Sequence, residues 1–376
     1  MAVTDQPTVC GGNTLCLASH LFVSLAVAIV VTRVMGKAFS AFMQPVILGE
    51  IVAGICLGPS VLGLLPGDIP EVLFPTEIRK IIKVCSELGF MIFMFVVGLE
   101  VDIEGVRNSS FAAVLVGIAS LVVPFLLGSL VLAPHLYDDY KYASCGASPS
   151  SNSTAFADDP GCETVSAVVF QLFVGTALSV TAFPVLARII ADCHMLKLPI
   201  SSLAMGCAAL NDMMAWVLLA VCLTVQYSST YLDILKMVAL LVAFFLGLEY
   251  VAHPLFRVAV LRPYRLHGAV GHGAMALLVA SLLTAAWLAY RIGFHPTLGA
   301  FLLGLSFPRC HADPGLAHSI LDKLEPVSVH LLDPCFFLIT GLSTDLSSLG
   351  PRGAAALAYV FALALFGKLV GAGVSA

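Results

Sequence analysis

Long runs of apolar residues, separated by short polar segments, follow one another along nearly the whole chain. A helix needs about 20 apolar residues to cross the hydrocarbon core of a bilayer, so each run of that length predicts a span. About eleven spans are predicted, near residues 16–34, 45–65, 82–100, 111–134, 165–190, 199–225, 230–252, 268–289, 293–308, 326–343 and 353–376. The pattern predicts an all-α polytopic membrane protein.

The composition agrees with this prediction. Of the 376 residues, 59% are hydrophobic and only 11% are charged, whereas soluble domains carry about 25% charged residues. Lys and Arg together number 18 against 23 for Asp and Glu, so the chain lacks the excess of basic residues that nucleic-acid binding requires. We therefore expect a lipid bilayer as the environment and no nucleic-acid partner.

The first apolar run follows a segment without Lys or Arg, which favours an uncleaved first span over a secretory signal. We expect residues 1–15 to be extracytosolic and residues 16–376 to form the transmembrane domain. Counted from that start, the basic residues follow the positive-inside rule, ten to six. The inner set is Arg33, Lys37, Arg107, Arg188, Lys197, Arg257, Arg262, Arg265, Arg309 and Lys323; the outer set is Arg79, Lys80, Lys83, Lys141, Arg291 and Arg352.

The longest polar segment, residues 137–164, is an extracytosolic loop in this topology. It holds a glycosylation sequon at Asn152 and two cysteines, Cys145 and Cys162, that an oxidising compartment would allow to pair. The segment is either a solvated surface loop or a disulfide-closed loop whose negative charge concentrates cations at an entrance. The sequon favours a eukaryotic membrane and leaves both the plasma membrane and the endomembranes open.

One predicted span contains signs of an interrupted helix. The run GTALSVTAFPVLARII, residues 175–190, places Ser179, Thr181 and Pro184 between apolar residues. Proline removes a helical hydrogen bond, and a nearby hydroxyl group can replace that bond or face an ion. The run therefore predicts either a simple proline kink or a helix break that serves a site.

The next predicted span carries Asn211 and Asp212 near its middle. A charged side chain there costs ~3 kcal/mol or more, so it is normally kept for a function. An interhelical hydrogen bond explains Asn211, but a carboxylate can also hold either a proton or a metal cation. An interrupted helix beside such a carboxylate is the usual layout of an ion site in a secondary transporter.

The last predicted span contains a second charge, Lys368, within the sequence LALFGKLVGAG. Its ammonium group either extends to the membrane surface or lies near the Asp212 region. No nucleophile elbow, metal-binding His/Glu spacing or phosphate-binding Gly-Lys motif is present, so we expect neither an enzyme nor a cofactor nor a metal centre. A channel is disfavoured because no repeated filter loop occurs.

Seven segments resemble, in order, the signatures of monovalent cation:proton antiporters. They are QPVILGEIVAGICLGPSVLG, FMFVVGLEVD, TAFPVLARI, LNDMMAW, GFHPTLGAFLLGL, CFFLITGLSTDL and FGKLVGA. The resemblance is to the branch of bacterial sodium/proton and potassium-efflux antiporters and plant-type cation/proton exchangers. It implies an inverted-repeat sodium/proton-antiporter-like fold with a discontinuous crossing helix.

The resemblance also implies roles for single residues. Asp212 matches the aspartate that binds cation and proton in turn, and Asn211 matches its neighbour, which is asparagine in electroneutral members. Thr181 matches the interrupted crossing helix, and we expect Asp212, Asn211 and Thr181 to bind the cation or proton. Lys368 matches the lysine that faces the aspartate. The break itself is assigned to Ser179, Phe183 and Pro184, whereas Glu50 and Glu87 are expected to act in helix packing or pH tuning.

Two hypotheses about function follow from the resemblance. The first is electroneutral exchange of a monovalent cation, K⁺ or Na⁺, for protons by alternating access, in a homodimer. In the second, the chain is a truncated, non-transporting subunit that dimerises with a full-length antiporter and modulates it. The second hypothesis arises because the sequence stops at Ala376, before the second interrupted helix and the helix after it, so we expect the last core spans to be missing.

Overall fold

The structure is a computed structural model. It describes residues 14–42, 44–67, 69–100, 111–144, 165–180, 231–308, 315–346 and 351–375, together with separate residues between 186 and 225. No strand occurs among these residues. The all-α prediction is confirmed.

Helices form almost all of the described chain. They are α1 (Thr14–Ala41), α2 (Val46–Leu57), α3 (Ile69–Leu73), α4 (Thr76–Glu100), α5 (Phe111–Leu126), α6 (Ala133–Ser144), α7 (Ala167–Ser179), α8 (Tyr231–Gly247), α9 (His253–Phe256), α10 (Arg262–His267), α11 (His272–Ile292), α12 (Pro296–Leu305), α13 (Gly315–Val327), α14 (Asp333–Leu342) and α15 (Pro351–Ser375). Short π-helical segments join α5 to α6, α8 to α9, α9 to α10 and α13 to α14. Each of these series therefore continues as one rod.

Seven helical segments in the described part of the chain are long and apolar enough to cross a membrane. They are Leu15–Ala41, Val46–Leu64, Thr76–Leu99, Leu115–Tyr137, Leu235–His267, His272–Ile292 and Gly353–Gly371. Two shorter apolar helices, Ala167–Ser179 and Pro296–Leu305, add to them. A multi-pass membrane protein is confirmed, while the count of about eleven spans stays a prediction.

The predicted extracytosolic loop, residues 137–164, lies mostly outside the described residues. Its first part is helical, because α6 continues to Ser144. Residues 145–164, with Cys145, Asn152 and Cys162, are not among those the structure describes. The predicted disulfide and glycosylation site therefore stay predictions.

The chain divides into two compact units. Unit 1 comprises Met1–Glu100, Phe244–Arg291 and Pro296–Gly350, and unit 2 comprises Val101–Ala243, Ile292–His295 and Pro351–Ala376. The candidate site residues 179 to 212 and Lys368 all belong to unit 2. Glu50 and Glu87 belong to unit 1.

Glycines bring the helices of unit 1 close together. Gly54 of α2 faces Gly341 of α14, and Gly98 of α4 faces Gly304 of α12, so closely that an added methyl group would overlap the opposite backbone. Small residues let transmembrane helices approach in this way where apolar burial alone gives no driving force. Near the contact of Gly54 with Gly341, the side chains of Phe74, Ile78 and Ile82 pack in one apolar cluster with Leu338.

The described helices of unit 2 include the rod of α5 and α6, the short helix α7, most of α8, and α15. Gly128 and Gly175 face each other where the π-helical segment after α5 meets α7. The Ser129 hydroxyl group donates a hydrogen bond to the Gln171 carbonyl across the same contact, at 3.0 Å. Close backbone packing therefore fixes α7 against the α5 rod.

Candidate functional site

Helix α7 ends inside an apolar stretch of the chain. Its last helical residue is Ser179, and Val180 adopts an extended conformation with φ −58° and ψ 132°. The last carbonyl groups of a helix have no donor within the helix, and lipid provides none. A helix that ends here therefore needs a donor from another part of the protein.

Lys368 of α15 is that donor. Its ammonium group donates hydrogen bonds to the Ser179 carbonyl at the end of α7 and, at 3.3 Å, to the Ser120 carbonyl in α5. A positive charge at the C-terminal end of a helix also interacts favourably with the partial negative charge there. The ammonium group thus lies inside unit 2.

The backbone of α15 approaches α5 closely on both sides of Lys368. Gly367 lies against Pro124, where a methyl group would fit only tightly, at 3.2 Å from the Pro124 Cα atom. Gly371 lies against Ser120, and a methyl group there would overlap the Ala119 carbonyl oxygen at 2.7 Å. The two glycines form a G-x-x-x-G pattern, which is typical of closely packed transmembrane helices. This contact places the Lys368 side chain within reach of the Ser120 carbonyl.

Asn211 joins the same group of side chains from another helix. Its side-chain amide donates a hydrogen bond to the Ser120 hydroxyl group at 3.0 Å, and only 4% of its surface is exposed. The Ser120 hydroxyl group in turn donates to the Gly117 carbonyl at 2.8 Å. A buried amide in a membrane requires such partners.

The structure therefore brings together three of the residues named from the sequence: Ser179, Asn211 and Lys368. The contact between them runs through Ser120, which the sequence analysis did not name. Asp212 follows Asn211 directly but lies outside the described residues, as do Thr181, Phe183 and Pro184. The roles assigned to these residues stay predictions.

The two glutamates of unit 1 have different surroundings. Glu50 lies on α2 and is 2% exposed, whereas Glu87 on α4 is partly exposed. A fully buried carboxyl group is costly in an apolar interior unless it is paired or hydrogen-bonded. The burial of Glu50 is consistent with a packing role, and the role proposed for either residue stays a prediction.

Comparison with known proteins gives one consistent family. Residues 24–375 match the family model described as sodium/hydrogen exchanger, transmembrane. The chain is 32% identical over 360 residues to the Na(+)/H(+) antiporter NhaS4 of Synechocystis, which covers 96% of this chain and 81% of that protein. It is 31% identical to Cation/H(+) antiporter 18 of Arabidopsis thaliana, over 99% of this chain and 43% of that protein.

Its identity to K(+)/H(+) antiporter 1 of Saccharomyces cerevisiae is 29%, over 88% of this chain and 36% of that protein. The chain thus spans less than half the length of these plant and yeast relatives. Its fold is similar to that of the sodium proton antiporter MjNhaP1 from Methanocaldococcus jannaschii, with a TM-score of 0.55, 12% identity and coverage of 94% of this chain and 79% of that one. The antiporter-like fold predicted from the sequence is confirmed by this likeness. Since the family model covers almost the entire sequence, the chain belongs to the transmembrane sodium/hydrogen exchanger family.

Proposed function

We propose that this protein exchanges a monovalent cation, K⁺ or Na⁺, for protons across a membrane by alternating access. The observation that carries the proposal is the meeting of Lys368, the end of α7 and Asn211 within unit 2, directly before Asp212 in sequence. Relatives named as sodium, potassium and cation/proton antiporters support the same ion classes. Exchange of this kind would serve pH homeostasis.

In this mechanism Asp212 binds a cation or a proton in turn. A carboxylate neutralised by either partner crosses the low-dielectric interior at low cost, whereas a bare carboxylate costs several kcal/mol. The empty carrier therefore does not reorient readily, and the two fluxes stay coupled. Asn211 adds no second charge, which favours one proton for one cation.

Unit 2 carries the proposed site, so we assign it to the moving core of the transporter. We further propose that the early spans and those around residues 268–308 form a scaffold; most of these residues belong to unit 1. Alternating access in such transporters moves one bundle past another around a fixed site. We also propose that the protein forms a homodimer through the scaffold, which its mass in detergent would test.

The test is proton movement in proteoliposomes that enclose a pH-sensitive dye. After acid loading, external Na⁺ or K⁺ is expected to make the interior more alkaline, and Asp212→Asn is expected to abolish this response. Asp322→Asn is the matched control, because it makes the same chemical change at an exposed aspartate of α13, which belongs to unit 1. Exchange that persists in Asp212→Asn would contradict the proposed mechanism.

A further inference from the structure

Helix α5 contains a proline to which the resemblance assigns no function. Pro124 lies within this helix and is buried. Proline has no backbone N–H group, so it cannot donate to the carbonyl four residues earlier, which is that of Ser120. In a membrane, a carbonyl group that loses its helical donor requires another one.

Lys368 provides that donor at 3.3 Å. The same ammonium group also binds the Ser179 carbonyl, where α7 ends. The Lys368 ammonium group thus binds two carbonyl groups: that of Ser120, which Pro124 leaves without its helical donor, and that of Ser179, at the end of α7. This arrangement holds the charge at a defined position between α5 and α7.

The side chain of Ser120 makes a second connection. Its hydroxyl group accepts a hydrogen bond from the Asn211 amide and donates one to the Gly117 carbonyl. Because the hydroxyl proton is used by Gly117, the oxygen is left to accept, which selects the NH₂ end of the Asn211 amide. One residue therefore contacts both the amide and, through its backbone, the ammonium group.

The packing of α15 reinforces this geometry at the same two positions. A methyl group on Gly371 would lie 3.1 Å from the Ser120 Cα atom, and one on Gly367 would lie 3.2 Å from the Pro124 Cα atom. Lys368 lies between these glycines. The packing that sets the register of α15 on α5 therefore involves Ser120 and Pro124, the residues that make the Ser120 carbonyl available to the Lys368 ammonium group.

We propose that Ser120 and Pro124 are positioning residues of the cation site. Pro124 leaves the Ser120 carbonyl to Lys368, and the Ser120 hydroxyl group orients Asn211 beside Asp212. The inference rests on the proposed cation/proton exchange. Neither residue is expected to bind the cation itself; both position the groups around the site. Their loss should therefore weaken cation binding and raise the KM for the cation more than it lowers the maximal rate.

The first test is Pro124→Ala. Alanine has a backbone N–H group that can donate to the Ser120 carbonyl. This donor then competes with the Lys368 ammonium group for the same carbonyl. If Pro124 had only a structural role, the substitution would make the helix more stable and leave transport unaltered. The proposal predicts an increase of about five- to tenfold in the KM for the cation, the effect of one weakened hydrogen bond to a charged group. Pro134→Ala, an exposed proline in α6, is the matched control.

The second test is Ser120→Ala, which removes the hydroxyl group and keeps the backbone carbonyl. We expect a several-fold increase in the KM for the cation and recovery in Ser120→Thr, which keeps a hydroxyl group. Ser129→Ala is the control, because it removes a buried hydroxyl group that joins α7 to the same rod through the Gln171 carbonyl. A general packing effect would change both alanine variants alike.

Cation binding is measured in parallel as the increase in Tm of the detergent-solubilised chain on adding Na⁺ or K⁺. The proposal expects a smaller Tm increase for Ser120→Ala and Pro124→Ala than for their controls. Wild-type activity together with unchanged KM and Tm increase in both variants would overturn the inference alone. A wild-type chain without exchange and without a cation-dependent Tm change would contradict the proposed function, and the inference would fall with it.

Discussion

Lys368 carries a charge within an apolar helix, and its ammonium group is satisfied by backbone carbonyls of unit 2. The sequence left two positions open for it: the membrane surface or the Asp212 region. The hydrogen bonds to the Ser179 and Ser120 carbonyls hold the ammonium group against α7 and α5, and its position relative to Asp212 stays a prediction. The sequence alone could not choose between the two positions, because the lysine side chain is long enough to reach either one.

Lys368→Met is expected to remove both hydrogen bonds while keeping the length and much of the volume of the side chain. Two carbonyl groups lose this donor, so the free energy of unfolding should fall by about 1–3 kcal/mol, and exchange should be largely lost. Lys368→Arg should retain most of the stability, because guanidinium also donates to carbonyls. Thermal unfolding in detergent measures the difference, with Lys236→Met on the exposed face of α8 as control. Equal Tm values for Lys368→Met and the wild type would contradict the structural role.

The contact between α5 and α15 decides which residues can meet at the site. The two glycines of GKLVG lie in one of the seven segments that resemble the antiporter family. The sequence could not predict that α5 packs against them, because helical periodicity shows which face of a helix is packed but not which helix packs on it. Ser120 carries no signal of its own in the sequence. Pro124 does carry one, since a proline inside a predicted span points to the carbonyl four residues earlier.

Gly371→Ala tests this contact between the helices. The new methyl group would lie 2.7 Å from the Ala119 carbonyl oxygen, which belongs to a backbone that cannot move aside cheaply. We expect a decrease of about 1–3 kcal/mol in the free energy of unfolding and a weaker response to the cation. Gly373→Ala is the control in the same helix, because its added methyl group would meet no atom of another helix within 4 Å. Similar destabilisation by both substitutions would show that the loss of glycine, and not the contact, matters.

Across the whole molecule, the sequence supported the helical membrane fold and the family, because long apolar runs and seven ordered segments are independent of detailed packing. It did not predict that α6 would extend the rod of α5 into the polar segment after residue 137. Nor could it predict the connection of Asn211 to Lys368 through Ser120. That connection depends on the register of three helices, which single residues do not encode.

Coupled exchange at one site is tested by cation uptake driven by a proton gradient. Vesicles with an acidic interior and a membrane potential clamped at zero are expected to accumulate labelled Na⁺ or K⁺ above the external concentration, until the pH gradient has dissipated. With one proton exchanged for one cation, a clamped potential of either sign should leave the final accumulation unchanged. Cation uptake that reaches only the external concentration, or that continues without a pH gradient and follows the potential, would contradict coupled electroneutral exchange.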